Sequence, residues 1–116
     1  MKSHTVVLAL LAALCSPLAQ AADWLIDVRT PQEVAQGKVD GAINIEYQDI
    51  VAGVRRLDVQ QDDTIYLYCR SGRRAGAALE SLQAAGFPKV INLGSQQQAT
   101  AWQHDRTQPP ALAHVH

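Results

Sequence analysis

Cysteine is scarce in this chain, with two among 116 residues, Cys15 and Cys69. Neither Cys69 nor His104, His114 and His116 stands at ligand-like intervals, so a metal site has no support. Lysine-rich runs are missing as well. With a formal net charge of −1 at pH 7, the composition gives no support to general binding of nucleic acid or a membrane surface. The apolar run "VVLALLAALC", Val6 to Cys15, is shorter than the ~20 residues a membrane-spanning helix needs. No internal repeat or linker divides the chain, and its length suits one domain.

The apolar run fits a leader instead. Lys2 gives a short positive start, Val6 to Cys15 an apolar centre, and Ala19-Gln20-Ala21 the small residues that a signal peptidase reads. Residues 1–21 are therefore expected to be a cleaved signal peptide, with export to the periplasm and no membrane attachment afterwards. A lipoprotein signal ahead of Cys15 is disfavoured by the bulky Leu14. Cleavage removes Cys15, so the mature chain keeps Cys69 alone and an intramolecular disulfide is excluded. Exported proteins usually favour disulfides; a lone thiol kept there is either inert and buried or retained for its reactivity. Loss of Lys2 from ten basic residues leaves nine against eleven acidic ones, a charge of −2.

Along the remaining chain, "WLIDV" (Trp24 to Val28) reads as a strand. Thr30, Pro31 and Glu33 then form a helix start with a capping box, and Gly37 stops that helix near Gln36. "GAINI" (Gly41 to Ile45) is a second strand after the Asp40-Gly41 turn pair. Ile50, Val51, Val54 and Leu57 mark one face of a helix between Tyr47 and Leu57. A polar turn over residues 60–63 leads into "TIYLYC" (Thr64 to Cys69), rich in β-branched and aromatic residues. A helix over residues 75–85 follows, with Leu79 and Leu82 on one side and Gly86 as stop. "KVINL" (Lys89 to Leu93) is a fourth strand, residues 96–104 a last helix carrying Trp102, and residues 105–116 a loose tail. The alternation predicts one α/β domain over residues 22–104, with a mainly parallel sheet of about four to five strands and helices on both faces. Sites in such sheets form where strand C-termini meet the following loops, and Cys69 ends its strand.

The loop after Cys69 reads Arg70-Ser71-Gly72-Arg73-Arg74. Ser71 and Gly72 offer little side chain to block the backbone, so successive amides can turn inward as an anion nest, reinforced by the start of a helix near Ala75. Arg70, Arg73 and Arg74 add positive charge. Such surroundings lower a cysteine pKa from about 8.5 toward ~3.5–7.5, which makes Cys69 a nucleophile at neutral pH and suits an oxyanion donor carrying a transferable group. The bland alternative is a small hydrophobe at the end of a buried strand, but an inert core thiol has no use for an anion nest. The tail histidines are read as solvated.

"LIDVRTPQE", "GAINI", "YCRSGRRA" and "VINLGS", in this order, resemble the signatures of the rhodanese sulfurtransferases, especially the small exported single-domain type related to the phage-shock rhodanese. The resemblance spans nearly all of the mature chain. It implies a thiosulfate:cyanide sulfurtransferase without a cofactor, in which Cys69 attacks the outer sulfur of thiosulfate, holds it as a persulfide and passes it to cyanide or a thiol. It places the amides of residues 70–74 around the persulfide, Arg70 and Arg74 as side-chain contacts to the anion, Arg73 toward solvent, and Gly72 at the loop's curve. Asp27 and Arg29 belong to the "DVR" pattern and, with Glu33, are expected to be structural. Lys38 and Asp40 stand where histidine and proline are common, Glu46 where proline is usual, and Ala75 where serine is common, which leaves donor preference open. The leading strand and helix of many relatives are not seen ahead of "DVR", which predicts a minimal sheet with a more exposed edge.

Two other readings compete. Phosphatases resembling the cell-cycle dual-specificity type, and arsenate reductases, place five residues between cysteine and arginine. Here four residues separate Cys69 from Arg74, and Ala75 occupies the position that a phosphatase would give to arginine. A sulfur-carrier or binding module, delivering the persulfide to a protein partner, is the second alternative; Cys69 is compatible with it.

Overall fold

β-Branched and aromatic residues build the sheet. In the computed structural model, which describes residues 20–108, β1 (Asp23–Asp27), β2 (Ile43–Asn44), β3 (Thr64–Cys69) and β4 (Val90–Ser95) lie parallel in the order β2-β1-β3-β4. Residues 1–19 of the expected signal peptide and residues 109–116 of the expected tail lie outside the described residues. The crossovers carry α1 (Pro31–Ala35), a 3₁₀ turn (Tyr47–Asp49) leading into α2 (Ile50–Arg56), and α3 (Arg73–Ala84); α4 (Gln96–Thr107) follows β4.

The two-residue period of the central strands divides the core between two faces. Ile26, Val28, Ile65, Leu67 and Cys69 face α2 and α3, where they meet Ile50, Val54, Ala75, Ala78 and Leu82. On the other face Tyr68 and Leu25 pack with Leu93, Val39, Ala42 and Ala99 of α4. Helices thus cover both faces of a four-stranded sheet, as the alternation predicts. β2 and β4 are the edges of the sheet, and on β4 Ile91 is 43% exposed.

Element ends differ from the sequence reading, most at β2, α3 and α4, while β1 is Asp23–Asp27 and β4 runs on to Ser95. β2 is only Ile43–Asn44, because the backbone through Gly41 is still turning: its φ is 81° and the Ala42 amide donates to the Val39 carbonyl at 3.0 Å. α3 starts at Arg73 rather than Ala75, with Gly72 as its N-cap. α4 continues to Thr107, so residues 105–107 are helix and not tail. Tertiary contacts hold that last turn. The Arg106 guanidinium lies 5.6 Å from the ring centre of Tyr66 on β3 and pairs with Asp23 at 2.8 Å.

Candidate active site

Cys69 closes β3, paired in register with Ser95 of β4. Its side chain belongs to the α2–α3 core and the residue is 1% exposed, so the strand delivers the sulfur to the floor of the loop that follows. That loop then turns back over it. The Gly72 amide donates to Cys69 Sγ at 2.9 Å. Burial pushes the Cys69 thiol up, but the amides of Ala75, Ser71, Gly72 and Arg74 outweigh it and hold the thiol below its ordinary value. The groups that favour the thiolate are thus backbone amides, with that of Gly72 bonded to the sulfur. Their membership differs from the reading of residues 70–74, because Ala75, inside the first turn of α3, contributes an amide.

The turn depends on two glycines. Gly72 has φ 94°, and a Cβ there would stand 3.2 Å from the Gly94 Cα. Gly94, at φ 93°, lies at an irregularity in the β3–β4 pairing, where Leu67 faces Asn92 and Tyr68 faces Gly94. A Cβ on Gly94 would overlap the Gln98 side chain. Asn92 ties these pieces together: Nδ2 donates to the Gly72 carbonyl at 2.8 Å, and Oδ1 accepts from the Gly94 amide at 2.8 Å. Asn92 and Gly94 are site-supporting residues that the sequence reading passed over. The only signal was their presence in "VINLGS", where a polar residue interrupts a strand two places before a glycine.

Asp27 and Arg29 form a buried pair at the C-terminal end of β1. Asp27 is fully buried and Arg29 is 7% exposed. Arg29 Nε and Nη2 both donate to the Asp27 carboxylate, the shortest bond being 2.7 Å, and Nη2 also donates to the Gly37 carbonyl at 2.7 Å. The Arg29 guanidinium stands 5.8 Å from the Tyr68 ring centre. Burial, with Asp27 next to it, pushes the Tyr68 hydroxyl up to about 12, so it stays protonated and accepts from the Val39 amide at 2.9 Å. This cluster locks β1, β3 and the segment after α1 together beneath the loop.

Glu33 does more than cap α1. The capping box with Thr30 is formed; in addition, Glu33 accepts from Arg74 Nη1 at 2.7 Å and from Nη2 at 3.0 Å. The Arg74 bonds, followed by that of the Thr30 amide, lower the Glu33 carboxyl to about 2. The Arg74 guanidinium is thus turned to Glu33, while its own amide faces the sulfur. Arg70, Ser71 and Arg73 are exposed. Arg70 borders a cleft of about 340 Å³ shared with Arg29, Glu33, Gln36, Gly37 and Gln96. Arg73 and Ser71 border another, of about 510 Å³, with Tyr47, Arg74 and Ala77. Cys69, the amides around its sulfur and four arginines, Arg29, Arg70, Arg73 and Arg74, are therefore brought to one end of the sheet. Among the described residues no group of His, Cys, Asp and Glu is arranged to hold a metal ion.

This arrangement agrees with comparison to known proteins. The profile of the Rhodanese-like domain family matches residues 10–98. Thiosulfate sulfurtransferase PspE of Escherichia coli is 36% identical over 88 residues, covering 76% of this chain and 84% of that protein. A putative sulfur carrier protein of Bacillus subtilis, YrkF, is 32% identical over 69 residues, covering 60% of this chain and 36% of YrkF. Among solved structures, a rhodanese with anions from Escherichia coli superposes with a TM-score of 0.63 at 35% identity, covering 66% of this chain and 91% of that one. With a parallel sheet, a strand-end cysteine and a loop of inward amides already in place, these matches establish that the chain belongs to the rhodanese-like family of sulfurtransferases.

Proposed function

We propose that this protein is an exported thiosulfate sulfurtransferase that works through a persulfide on Cys69. The observation that carries the reading is the Gly72 amide at 2.9 Å from Cys69 Sγ, in a loop whose other amides also favour the anion. A thiolate there attacks the outer sulfur of thiosulfate. The new S–S bond forms as the old one breaks, and sulfite leaves with the electron pair. The nest then faces a sulfur that remains anionic, so the same amides that stabilise the thiolate stabilise the persulfide. Cyanide or a thiol attacks the outer sulfur, and the electron pair of the breaking S–S bond returns to Cys69.

Arg70 and Arg74 are assigned to the incoming anion, with different roles. Arg70, exposed at the border of its cleft, supplies attraction from solvent. Arg74 is held by Glu33, so it fixes the loop and offers only the remaining face of its guanidinium. Four residues between Cys69 and Arg74, with a buried Ala75 beyond, leave no arginine where a phosphatase of this fold would need one. PspE is named a thiosulfate sulfurtransferase, which supports this donor. YrkF is named a putative sulfur carrier, which supports the second reading, delivery of the persulfide sulfur to a protein partner.

Thiocyanate formation from thiosulfate and cyanide, assayed beside aryl phosphate hydrolysis, tests the proposal. Cys69-dependent thiocyanate with no phosphate release is the expected outcome. Phosphate release without thiocyanate would overturn it.

A further inference from the structure

Asp63 has no part in the sulfur chemistry, yet its side chain is buried, with the residue 4% exposed. Its carboxylate accepts from the Ala22 amide at 2.8 Å, the Trp24 indole at 2.9 Å and the Gln60 amide at 2.8 Å. All three donors are neutral as the chain stands. A buried carboxylate among neutral donors gains further from a cation. The sequence supplies one at this atom. Ala19-Gln20-Ala21, the small residues read by a signal peptidase, end one peptide bond before the Ala22 nitrogen.

Ala22 is also where the chain enters the fold. Its carbonyl accepts from the Thr64 amide at 2.9 Å, and β1 starts at the next residue. Gln20 and Ala21 are exposed and outside any helix or strand. The bond to be cut is therefore accessible, while the nitrogen released by the cut is already seated.

We propose that removal of the leader at Ala21–Ala22 creates an ion-pair site, in which the new α-ammonium of Ala22 docks on the Asp63 carboxylate. The cut is a hydrolysis by a signal peptidase with water as co-reactant. The Ala21 C–N bond breaks, the water oxygen stays on Ala21 as part of its carboxylate, and both water hydrogens end on the Ala22 nitrogen as it becomes –NH3⁺. No atom of the folded domain has to move. A hydrogen bond with charge on the acceptor alone becomes an ion pair with charge on both partners. Processing then tightens the corner where β1 meets the turn before β3, and a chain that still carries its leader is the less stable form.

The pH dependence has a definite sign. Opposite charge raises the folded pKa of the ammonium above the ordinary ~7.7–8.0 of an α-amine. Its stabilisation is complete below that range and is lost as pH rises through the folded value. The charged neighbours in sequence are Asp23, paired with Arg106 of α4 at 2.8 Å, and Asp62, whose carbonyl accepts from Lys89 Nζ at 3.4 Å.

The test uses the full chain expressed with its leader in a Gram-negative host and recovered from the periplasm. Its amino terminus is identified by mass, and the Ala22 methyl resonance is followed against pH in alanine-labelled protein. The expected result is a chain starting at Ala22 whose amine titrates about one unit above an ordinary α-amine, with the shift abolished in Asp63→Asn. Should Asp63→Asn not fold, a glycine inserted between Ala21 and Ala22 leaves Asp63 in place and restores a neutral amide at Ala22. That variant is expected to be less stable than the parent at pH 7 and equal to it at high pH. A different amino terminus, an unshifted amine, a shift that survives Asp63→Asn, or an insertion variant as stable as the parent would each overturn the proposal. Sulfur transfer is read in none of these arms, so their failure would leave the sulfurtransferase reading standing.

Discussion

Arg74 is bound to Glu33 through both of its terminal nitrogens, at 2.7 and 3.0 Å, so the capping residue of α1 holds the arginine that closes the cysteine loop. Both side chains are just over a quarter exposed. The pair therefore contributes modestly to stability, about 1 kcal/mol or less after solvent screening, and its larger effect is on geometry, because the Arg74 amide is one of those around the sulfur. Arg74→Ala is expected to lower kcat/KM for thiosulfate roughly tenfold or more, the scale of a lost charge-assisted contact. Arg73→Ala, at an exposed position, is expected to change it by less than about threefold, or under 1 kcal/mol. Equal losses in steady-state assays would show that the two arginines are wrongly assigned.

Acid should release the same pair. The Glu33 carboxyl is lowered to about 2 by Arg74 and then by Thr30, against about 4.3 in an unfolded chain. A depressed carboxyl contributes its full stability above the unfolded value and loses it as pH falls through the folded one. Urea unfolding midpoints should therefore decline between about pH 4.5 and 2, and Glu33→Gln should flatten that decline. An unchanged pH slope in Glu33→Gln would count against the pair.

Much of this arrangement is legible in the sequence. Thr30, Pro31 and Glu33 announce a helix start by spacing alone, and that capping box is present. β3 follows its β-branched and aromatic run over Thr64–Cys69. A local signal suffices where the interaction is local. Glu33 reaching Arg74, 41 residues away, has no such signal, since the two meet only once β1 and β3 lie side by side. The loop amides could be foreseen as a nest, but that Ala75 joins them depends on α3 starting at Arg73, with Gly72 in a left-handed turn. The last turn of α4 was hidden for a similar reason, because Arg106 is held by Asp23 from the other end of the domain.

The glycine at the loop's turn should be irreplaceable. Gly72→Ala places a Cβ at a backbone φ of 94° and 3.2 Å from the Gly94 Cα, a strain of about 1–3 kcal/mol. The loop can relieve it only by moving the amide that meets the sulfur. Alkylation rates against pH should show the Cys69 thiol titrating below an ordinary cysteine in the parent and closer to it in Gly72→Ala. Identical profiles would mean that the amide cradle does not set the thiolate.

Asn92→Ala should affect the same loop from behind. It removes the bonds to the Gly72 carbonyl and the Gly94 amide, both at exposed positions, so the cost is about 0.5–1.5 kcal/mol. Thermal unfolding and thiosulfate kinetics should fall together. A stable variant with parental kinetics would remove Asn92 from the account.

Beneath the loop, Asp27→Ala leaves Arg29 without the carboxylate that accepts its Nε and Nη2. Breaking a buried pair from one side costs about 3–5 kcal/mol. Chemical denaturation should show a loss of that size, and a loss below about 1 kcal/mol would place the pair among surface contacts.

The central claim is a sulfur atom carried covalently on Cys69, and intact-mass measurement after brief exposure to thiosulfate addresses it most directly. The protein is expected to gain the mass of one sulfur atom, to lose it on addition of cyanide, and to show no gain in Cys69→Ala. A parent protein that gains nothing, or a gain that persists in Cys69→Ala, would contradict the account.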